Sequence, residues 1–211
     1  MGRIILIGGE KGGSGKSTTA TNLAVCLKLE GFDVMLLDAD KQATATKFIA
    51  RRNEAGYPEV HSAQKLGDIY RTAIDLSSRY QWVIIDAGGR DSRELRTGMV
   101  AADLVYVPIK ASQADLETLP VVDELLSLSR GMNPAMRARA LLCMAPTNER
   151  IREVQDAQEL LADFPDLPLS GCIIRERKIY RDALLLGRGV VEMKNSDARA
   201  EIQLLCQELL A

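Results

Sequence analysis

Histidine is almost missing from this chain, which has only His61 among its 211 residues. A multi-histidine metal centre is thereby excluded. A Ser-His-Asp triad could be built only around that one position, which reads instead as the end of a strand. The cysteines do no better as a site. Cys26, Cys143, Cys172 and Cys206 stand far apart with no CxxC pair, each inside an apolar stretch. They read as buried, reduced thiols of a cytosolic protein. No apolar run approaches a membrane span, and residues 3 to 8 are too short for the core of a secretion signal. The formal charge of −2 argues against a polycation that coats nucleic acid, so any affinity for DNA must come from a local patch.

What is present is rhythm. Short runs rich in Val, Ile and Leu alternate with longer amphipathic stretches, the pattern of β-α units around a mostly parallel sheet. Strands are predicted at 3–8, 33–38, 59–62, 82–86, 104–109, 138–145 and 169–174. Helices are predicted near 16–30, 43–54, 65–79, 92–101, 115–130, 150–163, 178–186 and 197–210. The expected fold class is α/β: one three-layer domain over 1–211, a mostly parallel twisted sheet flanked by helices. With the first strand starting near Met1, an N-terminal helix-turn-helix is not expected.

Between the first strand and the first helix lies Lys11-Gly12-Gly13-Ser14-Gly15-Lys16-Ser17-Thr18. Glycines at such a junction let successive N–H groups turn inward and, with the helix N-terminus, form an anion nest. This is a P-loop. Lys16 is placed for the β and γ phosphates, the Ser17 hydroxyl for Mg²⁺, and Thr18 for the α phosphate. The usual pattern has glycine five residues before Gly15, and Glu10 stands there instead. Two strands end in acid nearby: Val83-Ile84-Ile85-Asp86, in the manner of an element holding a Mg²⁺-bound water, and Leu36-Leu37-Asp38-Ala39-Asp40.

The order Lys11-Gly12-Gly13-x-Gly15-Lys16-Ser17-Thr18, Asp38-Ala39-Asp40, Asp86 resembles the deviant Walker ATPases of the ParA/MinD superfamily, and within it the small ParA-type partition ATPases. The resemblance implies ATP hydrolysis to ADP with Mg²⁺, and a nucleotide-dependent homodimer in which Lys11 reaches the partner's phosphates. It further implies that Asp40 orients the attacking water, that Asp38 and Asp86 hold the magnesium shell, and that the adenine pocket lies near Thr147-Asn148 and Arg175. A ParB-like, centromere-binding adaptor would stimulate hydrolysis, and nonspecific nucleoid DNA would bind through C-terminal basic residues. Where the family usually has Pro after the second Asp, Lys41 stands here; where it often has Thr-Pro after the Walker B Asp, Ala87-Gly88-Gly89 follow Asp86, and 87–93 reads as a switch loop.

From 170 to 199 there are seven bases against four acids, and Arg175, Arg177 and Lys178 are the candidate DNA contacts. The C-terminal run Glu201 to Leu210 has two acids and no base, so it reads as a helix packed on the core rather than a basic membrane anchor. Asp115 and Glu117 follow Ser112-Gln113 and read as capping acids. The same cycle could serve a protein cargo, and a metabolic P-loop enzyme is the remaining alternative.

Overall fold

The computed structural model describes residues 1–148 and 152–211. Seven strands form one sheet in the order β3-β2-β4-β1-β5-β6-β7, every pair parallel. In chain order these are β1 (Arg3–Gly9), β2 (Val34–Ala39), β3 (His61–Gln64), β4 (Trp82–Gly89), β5 (Leu104–Ile109), β6 (Arg137–Ala145) and β7 (Leu169–Arg175). The central strands are buried on both faces, which is why they read as continuous apolar runs rather than alternating ones.

Alternate side chains of each strand feed two separate cores. Leu6, Leu37, Ile85 and Val107 pack on one face with α3 (Tyr70–Ser77), α4 (Arg93–Ala101), α6 (Leu119–Met132) and α7 (Glu153–Leu161). Ile5, Ile7, Leu36 and Ile84 pack on the other with α1 (Lys16–Leu29), α2 (Thr44–Glu54), α8 (Lys178–Leu186) and α9 (Ser196–Leu210). The result is three layers. Because β1 leads outward to β2 across β4, while β4 leads back across β1 to β5, the chain reverses direction between β4, β1 and β5. A crevice opens there at the carboxyl ends of the strands.

Several boundaries differ from expectation for identifiable reasons. Helix α3 begins at Tyr70 rather than 65, because Gly67 takes φ 81° and gives its N–H to the Glu94 carboxylate at 2.7 Å. The helix expected over 115–130 is divided into α5 (Gln113–Leu116) and α6, since Pro120 has no N–H to give and sits in the first turn of α6. Strand β3 starts at His61, two residues later than predicted, and lies at the sheet edge with its side chains mostly exposed. The first two residues of the helix expected from 150 fall outside the described residues. The C-terminal α9 packs on the core as expected, burying Ala198, Ile202, Leu205, Cys206 and Leu209. Among the described residues no helix is long and apolar enough to cross a membrane.

Candidate functional site

The glycine run closes the gap between β1 and α1 as a tight loop: Gly13 has φ 71° and Gly15 φ 93°, both in the left-handed region that costs a side chain dearly. Gly15 is the N-cap of α1 and makes no side-chain cap, so the first N–H groups of that helix are left for a ligand. Above the loop is a cavity of about 520 Å³ lined by Gly12, Gly13, Gly15, Lys16, Ser17 and Thr18 from the loop. Asp40, Gln42 and Thr44 close it from the β2–α2 side, and Gly89 and Arg90 from the end of β4. Its size suits a small-molecule ligand.

Lys16 is buried, and its ammonium folds back to donate to the Lys11 carbonyl and, at 3.5 Å, to Ser14 Oγ. Burial lowers its pKa, against the pull of Asp86, Asp40, Asp115 and Glu10. Lys11 is half-buried and lines none of the cavity. Among the described residues its ammonium has no hydrogen bond or ion pair, so the two lysines of the loop face different surroundings.

Asp86 is completely buried, and neither carboxylate oxygen has a hydrogen-bond partner among the described residues. Burial pushes its pKa up to about 7; the nearby Ser17 hydroxyl pulls it down, Asp38 and Asp40 push it further up, and Lys16 opposes them. An orphaned carboxylate beside a serine hydroxyl is a hard-oxygen donor set, and it fits Mg²⁺. No group of three or more acidic, histidine or cysteine side chains could cage an ion alone among the described residues. The fit is therefore to an ion that completes its shell with ligand oxygens and water, as magnesium does.

Asp38 lies beside Asp86 in register but is differently engaged. Its Oδ1 accepts from the Asp40 N–H at 3.1 Å, and its Oδ2 from the Thr46 N–H at 2.7 Å and hydroxyl at 2.8 Å. It fastens the start of α2 and aims the loop that carries Asp40. Asp40 reaches the cavity, with Oδ1 held by the Gln42 N–H at 2.9 Å.

The segment expected to be a switch loop over 87–93 is in part strand: β4 continues to Gly89, which pairs with Gly9. Space explains the sequence there. A Cβ on Gly88 would stand 3.2 Å from the Asp40 carboxylate, and one on Gly89 would stand 3.0 Å from Gly12 N. The chain threads closely between the Asp40 side chain and the P-loop backbone, where a Cβ would force its neighbours to shift by a few tenths of an ångström.

The candidate DNA residues are not free bases. Arg177 is held by Glu201 at 3.0 Å and Asp197 at 3.2 Å, Lys178 by Asp182 at 3.1 Å, and Arg175 Nη1 donates to the Pro146 carbonyl at 2.5 Å. The count from 170 to 199 stopped short of Glu201, the residue that takes Arg177. A small cavity of about 90 Å³ beside Gly15 and Thr18 has Arg175, Met144 and Tyr180 in its lining, and Thr147 and Asn148 are not among its lining residues.

Sequence reasoning missed Gln42, Thr44 and Arg90 as cavity residues, and Lys110, whose ammonium lies 4.0 Å from where a Gly13 Cβ would be. Asp115 proved a loop fastener, accepting from the Ser112 hydroxyl at 2.9 Å. Cys143 and Cys172 are inert, burial pushing each thiol up to about 12.

Comparison with known proteins agrees with this geometry. The model for the CobQ/CobB/MinD/ParA nucleotide binding domain matches residues 5–194. The carboxysome distribution maintenance protein A of Gloeobacter kilaueensis is 27% identical over 212 residues, covering 98% of this chain and 94% of its own. The chromosome partitioning protein ParA of Caulobacter vibrioides is 25% identical, covering 96% and 92%. The cell division ATPase MinD of Pyrococcus furiosus superposes over the full length of both chains with a TM-score of 0.77 at 20% identity, which speaks for the fold. With its nest of peptide amides, its two loop lysines and its orphaned carboxylate, the chain belongs to the CobQ/CobB/MinD/ParA nucleotide binding domain family, as a ParA/MinD-type P-loop ATPase.

Proposed function

We propose that this ATPase is a positioning switch that segregates DNA. Its Mg-ATP form pairs into a sandwich dimer that rides nonspecific DNA, and adaptor-stimulated hydrolysis to ADP releases it. The observation that carries the reading is the division of labour between the two loop lysines. Lys16 is folded into its own loop, whereas Lys11 stands outside the cavity with no partner among the described residues, available to phosphates held by a second copy.

In the bound state the Ser17 hydroxyl and Asp86 would hold Mg²⁺, Asp86 directly or through water, and Asp38 would keep the neighbouring loop in place. The ion supplies charge neutralisation and a fixed arrangement of phosphate oxygens. Lys16 would leave the Lys11 carbonyl for the phosphates, exchanging a neutral acceptor for a charged one. Asp40, held by the Gln42 N–H, would orient water against the terminal phosphate. Such chemistry depends on positioning more than on covalent steps. The two nucleotide states move a cargo only through their different affinities for the track.

A protein cargo is the second reading, and a specific observation favours it: the carboxysome relative matches almost end to end, and two of the three basic residues expected to meet DNA, Arg177 and Lys178, are ion-paired. Light scattering with ATP or ADP, followed by anisotropy with a labelled nonspecific duplex, tests both steps. An ATP-dependent dimer that binds duplex in a salt-sensitive way supports the DNA track. A dimer indifferent to duplex removes it and leaves the protein cargo, and a monomer in ATP sinks the switch. Asp40→Ala is expected to bind ATP, dimerise and stay on DNA.

A further inference from the structure

We propose that Arg90 contacts the terminal phosphate of the nucleotide bound by its own chain, and that this contact lets the site distinguish a triphosphate from a diphosphate. The inference rests on the nucleotide reading above and adds a cation from the same chain to the two lysines of the loop.

Four observations converge on it. First, Arg90 lines the cavity together with Gly12, Lys16, Ser17 and Asp40. It is the first side chain after the glycine pair that threads between Asp40 and the P-loop, on the side of the cavity where Asp40 stands. Second, its backbone has φ 84°, a conformation that glycine adopts freely and arginine only at a cost. After Gly88 and Gly89 a third glycine would have relieved that cost, so the side chain is retained against the preference of the backbone.

Third, the strained conformation is fastened: the Arg90 N–H donates to the Glu10 carbonyl at 2.7 Å, tying the end of β4 to the residue just before Lys11. Fourth, the side chain is exposed and its charge is unpaired. Among the described residues the guanidinium has no hydrogen bond or ion pair, and its neighbour Asp91 is taken by a two-pronged pair with Arg96. Arg52 and Arg177, by contrast, each hold a carboxylate. A planar guanidinium presents paired N–H groups that match phosphate oxygens, a geometry an ammonium cannot supply.

The experiment titrates the full chain with Mg²⁺ and either ATPγS or ADP, for the wild type and for Arg90→Ala, Arg90→Gly and Arg90→Lys. In Arg90→Ala the preference for ATPγS over ADP is expected to fall about 10- to 100-fold, with ADP affinity little changed. Arg90→Gly should show the same loss with a melting temperature at or above the wild type, since glycine suits φ 84°. Arg90→Lys should recover part of the preference. A wild-type preference in Arg90→Ala and Arg90→Gly overturns the proposal, and so does a loss confined to Arg90→Ala that weakens both nucleotides equally, which would make the residue a loop fastener. A wild-type chain that binds neither nucleotide would instead overturn the site on which the proposal stands.

Discussion

Two regions of this molecule treat their charge in different ways. Around α8 and α9 three bases have met acids: Arg177 with Glu201 and Asp197, Lys178 with Asp182, Arg181 with Glu176 at 3.5 Å, while Arg188, its Nε buried without an acceptor among the described residues, lies over the Tyr57 ring at 5.1 Å. At the carboxyl ends of β1, β2 and β4 the groups are left wanting. Asp86 has both oxygens buried and unbonded, Lys16 is buried and rests on a carbonyl, and Arg90, which is exposed, has no acid partner among the described residues. Paired charge is what a fold needs to be stable; buried charge without a partner costs free energy and persists where a ligand completes it. The contrast is sharpest between Asp86, a buried carboxylate with neither oxygen bonded, and Glu201, whose oxygens are held by Arg177 and Tyr180.

The strongest way to break the comparison is at Lys16. In Lys16→Ala the P-loop keeps its glycines and Ser14 but loses the cation aimed at the phosphates. Hydrolysis is expected to fall by about three orders of magnitude, the scale of a lost phosphate-directed cation. Phosphate release in steady state measures it, and near-normal turnover would return Lys16 to the scaffold.

Asp86 sharpens the comparison through stability. Its pKa of about 7 lies above the ordinary 3.8, so the folded chain binds this proton more tightly than the unfolded one. Stability from that group is present at low pH and is lost as pH rises from about 4 to about 7. Above that window the strain amounts to roughly 4 kcal/mol at most. Asp86→Asn cannot ionise, so its melting temperature should exceed the wild type's at pH 8, with the gap closing as pH falls toward 4. Magnesium and nucleotide together should stabilise the wild type and not the variant. A gap that is constant with pH would show that Asp86 is satisfied in solution.

Arg177 stands on the other side of the contrast. Its removal leaves Glu201, already accepting from the Tyr180 hydroxyl at 2.7 Å, without its cation in a largely buried place. Arg177→Ala should therefore cost about 1–3 kcal/mol of stability in urea unfolding. Duplex affinity per folded molecule should stay unchanged. A stable variant with weakened DNA binding would restore Arg177 as a DNA contact.

What could be read from the sequence follows the same division. The strand pattern was legible because parallel strands buried on both faces must be continuously apolar, and the P-loop because its chemistry depends on neighbours in the chain. Asp40 and Asp86 were legible as acids ending such strands. The partner of Arg177 was not, since Glu201 is 24 positions away and is brought near only when α9 docks against β7. Arg90 was hidden for a different reason. Its φ of 84° and its place on the cavity wall with Asp40 are properties of the folded chain that spacing alone cannot express.

The smallest expected effect is at Lys178, and it tests the DNA track most directly. The side chain is 79% exposed and its bond to Asp182 is a one-turn surface pair, so Lys178→Ala should change stability by no more than about 0.5 kcal/mol. If α8 meets phosphate backbone in the ATP form, the same change should reduce the slope of log affinity against log salt by about one. Arg177→Ala destabilises the scaffold whatever it does to DNA, but Lys178→Ala leaves the scaffold alone, so its salt slope reports on contact and nothing else. An unaltered slope would place the track elsewhere on the dimer and shift the balance toward a protein cargo.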